Sequence, residues 1–140
     1  MKRLAVKLGT SAALALAALL VVSNIAAAAR SPFVGAWEST DIDGSYQRLV
    51  IGGGPGDEHT LVYYDYGATV CGVDPTTGEI LYPALVRGGG EATGDLLSGE
   101  WDVWCLGRPP TFYGTFGFHL SYDAATDTLT DAAGVIWTRK

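Results

Sequence analysis

Several groups of residues in this chain have the types and spacing that chemistry requires. Asp41-x-Asp43-Gly44-Ser45 has the opening of a calcium loop, in which alternating oxygens surround a hard cation. Such a loop needs a glutamate at its twelfth position, and that place is Gly52, so the stretch reads as a hairpin turn. Glu100 and Asp102 are paired carboxylates, the residue types of a glycosidase. Strand alternation sets both opposite Trp101 and Val103, which puts them on a solvated face. His59 and His119 are the only histidines, and neither has the spacing of a Ser-His-Asp, Cys-His or H-E-x-x-H arrangement. Gly52-Gly53-Gly54 is followed by no Lys-Ser/Thr pair, so it is not a phosphate loop. The expectation is a domain with no catalytic group, no metal site and no cofactor.

Cys71 and Cys105 are the two cysteines. No C-x-x-C is present and no histidine lies near either in sequence, so a disulfide is expected if the chain is exported. The bridge would close a loop of about 35 residues, worth roughly 3–4 kcal/mol in the chain-entropy account. The aromatics are the other unusual resource: four Phe, four Trp and seven Tyr. Trp37, Trp101, Phe112, Phe116, Phe118 and Trp137 are expected to face inward. They could fill a small core, or they could line a pocket for an apolar or ring-bearing ligand. Tyr63, Tyr64 and Tyr66 place tyrosine on both faces of one strand, which leaves aromatic surface for a protein interface.

The N-terminus predicts export. Lys2, Arg3 and Lys7 precede an apolar run from Ala12 to Val22, and small residues from Ala26 to Ala29 follow. That is the layout of a secretory signal over residues 1–29, cut after Ala28 or Ala29. The rival reading is an uncleaved anchor, since the charge-free stretch from Leu8 to Ala29 is 22 residues long. Cleavage would leave residues 30–140 as one secreted domain, extracellular or periplasmic. The three basic residues of the signal would leave with it, so five Arg and Lys140 would face all 15 acidic residues, a net charge of about −9. Nucleic acid and anionic membrane surfaces are excluded as partners, because both need clustered Lys and Arg. The oligomeric state is left open.

The elements that must hold these residues are strands. No helix of three turns fits after Ala29, because glycine and turn residues interrupt every window of that length. Short runs rich in Val, Tyr, Phe, Trp and Thr recur instead. They are Phe33–Glu38, Ser45–Ile51, Thr60–Tyr66, Ile80–Val86, Glu91–Leu96, Gly99–Leu106, Thr111–Tyr122, and a closing hairpin of Thr128–Thr130 with Val135–Arg139. Turn clusters divide them, among them Asp41–Gly44, Gly52–Asp57 and Asp131–Gly134. Alternation is clean in two runs: Trp101, Val103 and Cys105 share one face, as do Phe112, Phe116, Phe118, Leu120 and Tyr122. This predicts an all-β fold, a single antiparallel up-and-down barrel of about eight strands, with a β-sandwich as the alternative.

Gly35-Ala36-Trp37 opens the first run and Arg139 ends the last. A G-x-W in the first strand with an arginine from the final strand packed across the tryptophan resembles the calycins: lipocalins, avidins and fatty-acid-binding proteins. The resemblance implies an up-and-down barrel that holds a small ligand, with Trp37 and Arg139 as structural residues. The chain is shorter than a lipocalin and lacks the T-D-Y motif, and no C-terminal helix follows. The avidin layout fits the length better, and there a Gly-Ser follows the first turn, as Gly44-Ser45 does here. By that likeness Ser45 would touch ligand, although the later avidin tryptophans do not align. Secreted protease inhibitors with a small calycin-like barrel are the other similar group, with cysteines nearer the N-terminus.

These readings together predict a secreted, non-catalytic binding module. Its barrel mouth would take a small apolar molecule against Trp101, Phe116 and Phe118, with polar contacts from Ser45 or Tyr63. The alternative is a module that binds a protein through its surface, in the manner of an inhibitor.

Overall fold

Period-two alternation of strong strand formers produces eight strands in the computed structural model, which describes residues 30–53 and 57–140. They are β1 (Gly35–Thr40), β2 (Tyr46–Gly53), β3 (Glu58–Asp65), β4 (Ala84–Thr93), β5 (Leu96–Cys105), β6 (Thr111–Asp123), β7 (Thr128–Asp131) and β8 (Ile136–Arg139). Each pairs antiparallel with the next, and β8 returns to β1, giving a closed up-and-down barrel. Closure removes the open edges that a sandwich would leave. The predicted signal segment lies outside the described residues, as do residues 54–56. No helix among the described residues is long and apolar enough to cross a membrane.

The inward face is read directly from the alternation. Leu49 and Ile51 of β2, Leu61 of β3, Leu97 of β5, Phe118 and Leu120 of β6, Leu129 of β7 and Trp137 of β8 meet Phe33 and Trp37 in the main core. Each such side chain contributes about 1.5–3 kcal/mol when taken out of water. A second cluster of Ala68, Cys71, Ala84, Val86 and Val103 sits toward the other end. Tyr63 and Trp101 touch both clusters.

Two expectations are corrected. Separate strands at Ile80–Val86 and Glu91–Leu96 do not form. β4 instead runs unbroken through Gly88-Gly89-Gly90 to Thr93, and Gly94-Asp95 makes a two-residue turn into β5, with Gly94 at φ +60°. The glycines mark close strand approach rather than a break: a Cβ on Gly88 would lie 2.2 Å from the Glu100 carbonyl oxygen. Phe112 does not face inward either. A bulge at Tyr113 lets Val103 pair with Gly114 but Trp104 with Phe112. The extra residue moves Phe112 to the outer face, where its ring lies 5.1 Å from that of Trp104.

The two barrel ends differ. At one, residues 30–34 fold across the opening and Phe33 is fully buried. Trp37 Nε1 donates to the Phe33 carbonyl at 2.9 Å, and Arg139 donates to the carbonyls of Pro32 and Val34. At the other end lie the loops 41–45, 66–83, 106–110 and 132–135. The long loop is tied back to β5 by the Cys71–Cys105 disulfide.

Candidate functional site

The loop end of the barrel gathers polar and aromatic side chains that strand alternation points inward. Gln47 is in phase with Leu49 and Ile51 on β2, and Asp65 with Leu61 and Tyr63 on β3. Both are buried polar residues near the top of their strands. Gln47 and Asp65 are cross-strand partners, so their side chains meet: Gln47 Nε2 lies 3.5 Å from Asp65 Oδ2. The same carboxylate accepts from the Tyr63 hydroxyl at 3.2 Å, the Ser45 hydroxyl at 3.3 Å and the Gly67 amide at 2.9 Å. Gln47 Oε1 is buried and has no hydrogen-bond partner among the described residues.

The electrostatics of this wall are acidic. Burial, and next the Asp65 carboxylate, push the Tyr63 hydroxyl far above the ordinary tyrosine value; Asp41 and Asp131 push it the same way. Asp131 holds the β7–β8 turn by accepting from the amides of Ala133 and Val135. Its second oxygen accepts from Trp137 Nε1 at 3.3 Å.

Facing this wall is an aromatic floor. Trp101 stacks on Phe118 with ring centres 4.8 Å apart and 18° between planes. Tyr63 lies 5.8 Å from Trp101 and meets Trp137 edge-on at 5.3 Å. Phe118 and Trp137 are buried, whereas Trp101 and Tyr63 are only half-buried.

The sequence-predicted residues are thus mostly brought together. Ser45 stands at the rim on the β1–β2 hairpin, Tyr63 and Trp101 line the interior, and Phe118 lies beneath Trp101. Phe116 pairs in register with Trp101 but is 44% exposed at the lip, where it stacks on Tyr113. Sequence reasoning does not single out Gln47, Asp65 or Asp131, and it leaves Trp137 as either core filling or pocket lining. The signal for the first two was present: a polar residue at an inward position of an otherwise apolar strand face. Asp41 and Asp43 form a plain hairpin turn, with the Ser45 amide donating to Asp43 Oδ1. Among the described residues no group of three or more His, Cys, Asp and Glu is disposed to hold a metal ion.

A concavity of about 610 Å³ opens at the rim of the opposite end, lined by Gly53, Glu58, His59, Thr60, Gly89, Gly90 and Glu91. Its histidine is committed to structure: Nε2 shares a hydrogen bond with the Ser31 hydroxyl and Nδ1 contacts the Asp57 carbonyl. Comparison with protein-family models, with curated proteins and with solved structures found no match to the chain.

Proposed function

We propose that this chain is an exported, non-catalytic binding module of calycin-like type, whose loop-end mouth takes a small, largely apolar molecule. The observation that supports it is the half-buried Trp101, stacked on Phe118 and flanked by Tyr63, beside the hydrogen-bonding wall of Ser45, Gln47 and Asp65. An apolar floor with a few convergent polar groups is the usual make-up of a small-molecule site. At the opposite end Phe33 is fully buried in the main core, so this reading sets the ligand at the loop end. Each large apolar group covered there gains about 1.5–3 kcal/mol, so micromolar binding needs several such contacts. Export accords with the basic, apolar and small-residue layout of residues 1–29 and with the disulfide.

The test is an NMR titration with indole and naphthalene as neutral ring probes. Binding at the mouth shifts the indole N–H resonances of Trp101 and Trp137 and leaves that of Trp37 unmoved, and Trp101→Ala abolishes the response. Saturable binding that moves only outer-face residues would reject the mouth.

A protein-facing role is the second reading, favoured by the Trp104–Phe112 pair exposed on the outer β5–β6 face and by Ile42, 91% exposed at the rim. Loss of a pulled-down partner on Trp104→Ser, with mouth variants silent, would favour it.

A further inference from the structure

We propose that the first part of β6, Thr111–His119, is a strand-addition edge whose partner is the same edge of a second copy of this chain, paired antiparallel about a two-fold axis. The inference is independent of what the mouth binds.

The first observation is a mismatch in length between β6 and the strand that closes against it. On one side, β6 pairs with β5 from Thr111 to Ser121. On the other, β7 reaches along it no further than Leu120, and no other strand among the described residues takes over. Alternate residues of an antiparallel strand turn their amides and carbonyls to opposite sides. Every second residue of Thr111–His119 therefore directs its backbone polar groups away from β5, where no strand receives them. Exposure follows the gap: seven of these nine residues are exposed. Phe116 is in phase with the buried Phe118 and Leu120, yet it is 44% exposed.

The second is what the edge lacks. Free edges of monomers are commonly guarded by charge, by proline or by brevity. Residues 111–119 contain no Asp, Glu, Lys, Arg or Pro. The bulge at Tyr113 leaves Gly114–His119 in regular register with β5. What the edge presents instead is Phe112, Tyr113 and Phe116, each about half exposed.

The third is the fit of the edge to itself. A two-fold axis sets an antiparallel segment against its own copy, so a neutral, aromatic edge meets no opposing like charge. The three rings alone offer about 300 Å² per copy. With the exposed Thr111, Thr115, Gly117 and His119, two copies approach the roughly 1,000 Å² that a specific interface needs. Glu100 and Asp102 lie one strand back, in register with Gly117 and Thr115. In the dimer the two β5 strands stand three strand spacings apart, about 14 Å. That exceeds the screening length of about 8 Å at physiological salt, so the acidic flanks repel strongly only at low salt. Pairing uses up the edge of each copy, so assembly stops at two.

The experiment is sedimentation velocity over about 1–500 µM protein, with amide resonances followed over the same range. The expected result is a monomer–dimer equilibrium with a Kd on the order of 10–100 µM, weakening severalfold as salt is lowered. Shifts should concentrate in residues 111–119, whose alternate amides gain protection from exchange. Thr115→Lys sets lysine against lysine near the axis and is expected to raise the Kd tenfold or more. Gly117→Lys, whose added Cβ has its nearest neighbour 3.9 Å away, charges the same edge and keeps the test valid should Thr115→Lys fold poorly. Both variants reduce the net negative charge, so a dimer held by any other surface should tighten instead. A monomer at every concentration, a dimer that survives both variants, or growth beyond two copies would overturn the inference. So would a protein that stays monomeric while its β6 amides respond to an unrelated extended peptide.

Discussion

The Arg139 guanidinium carbon lies 4.1 Å from the centre of the Trp37 ring, across the strand pair that closes the barrel. β1 and β8 share only two register pairs, Trp37 with Arg139 and Glu38 with Thr138. Arg139 reinforces this short seam by bonding the carbonyls of Pro32 and Val34 and pairing with Asp127 at 2.8 Å. Arg139→Met is expected to lower stability by about 2 kcal/mol, from the lost cation–π contact and the freed carbonyls. Arg139→Lys should recover only part of this, because one ammonium cannot serve two carbonyls and a carboxylate at once. Urea denaturation of the two variants checks both statements.

Removing the Cys71–Cys105 bridge as the Ser/Ser double variant should cost roughly 3 kcal/mol, since the bridge closes a loop spanning 34 positions. The damage should be uneven. Amides in residues 66–83 should exchange with solvent much faster, while those around Trp37, at the far end, keep most of their protection. Hydrogen exchange followed by NMR reads both regions in one sample.

At low pH the domain should lose stability in a defined direction. Hydrogen bonds from Arg139 hold the Asp127 carboxyl below its ordinary value, and a hydrogen bond from Lys140 does the same for Glu38. Asp74 and Asp123 are lowered mainly by turn amides. A folded value below the unfolded one means that the unfolded chain binds more protons. Stability is therefore present above the ordinary carboxylate range of about 4 and is lost as pH falls through the lower folded values. Asp127→Asn should flatten part of this dependence in a series of melts across acidic pH.

At high pH the sign reverses. Tyr63 is raised by burial and by Asp65, so its contribution is whole below the ordinary tyrosine value of about 10 and is lost as pH climbs toward the folded value. Tyr63→Phe should weaken the alkaline loss, at a cost of about 1 kcal/mol at neutral pH for the missing bond to Asp65. Denaturation at neutral and at alkaline pH separates the two effects.

Gly88→Ala should be costly although it sits in a strand. The added Cβ would stand 2.2 Å from the Glu100 carbonyl oxygen and 2.8 Å from the Trp101 Cα, both on backbone that cannot swing aside. A loss of about 2–3 kcal/mol is expected from this overpacking. Gly117→Ala, whose nearest neighbour would be 3.9 Å away, should change little by the same denaturation measurement.

What the sequence determined by itself is whatever depends on neighbours along the chain. Alternation marks Trp101 and Val103, and Phe118 and Leu120, as inward, because a strand's period of two needs only local residues. Two cysteines allow one bridge, and turn clusters with short runs imply an up-and-down β-fold. The tertiary structure decided whatever depends on registers between strands. The bulge at Tyr113 turns Phe112 outward, because one extra residue reverses the face of everything beyond it. Gly88-Gly89-Gly90 reads as a break until β5 is laid against it, and then as the place where two backbones come too close for side chains. The acidic wall is the clearest case: Gln47 and Asp65 are 18 residues apart and become one site only because the register sets them opposite each other on β2 and β3. A polar residue in phase with an apolar face signals that something is buried there, but only the pairing of strands names its partner.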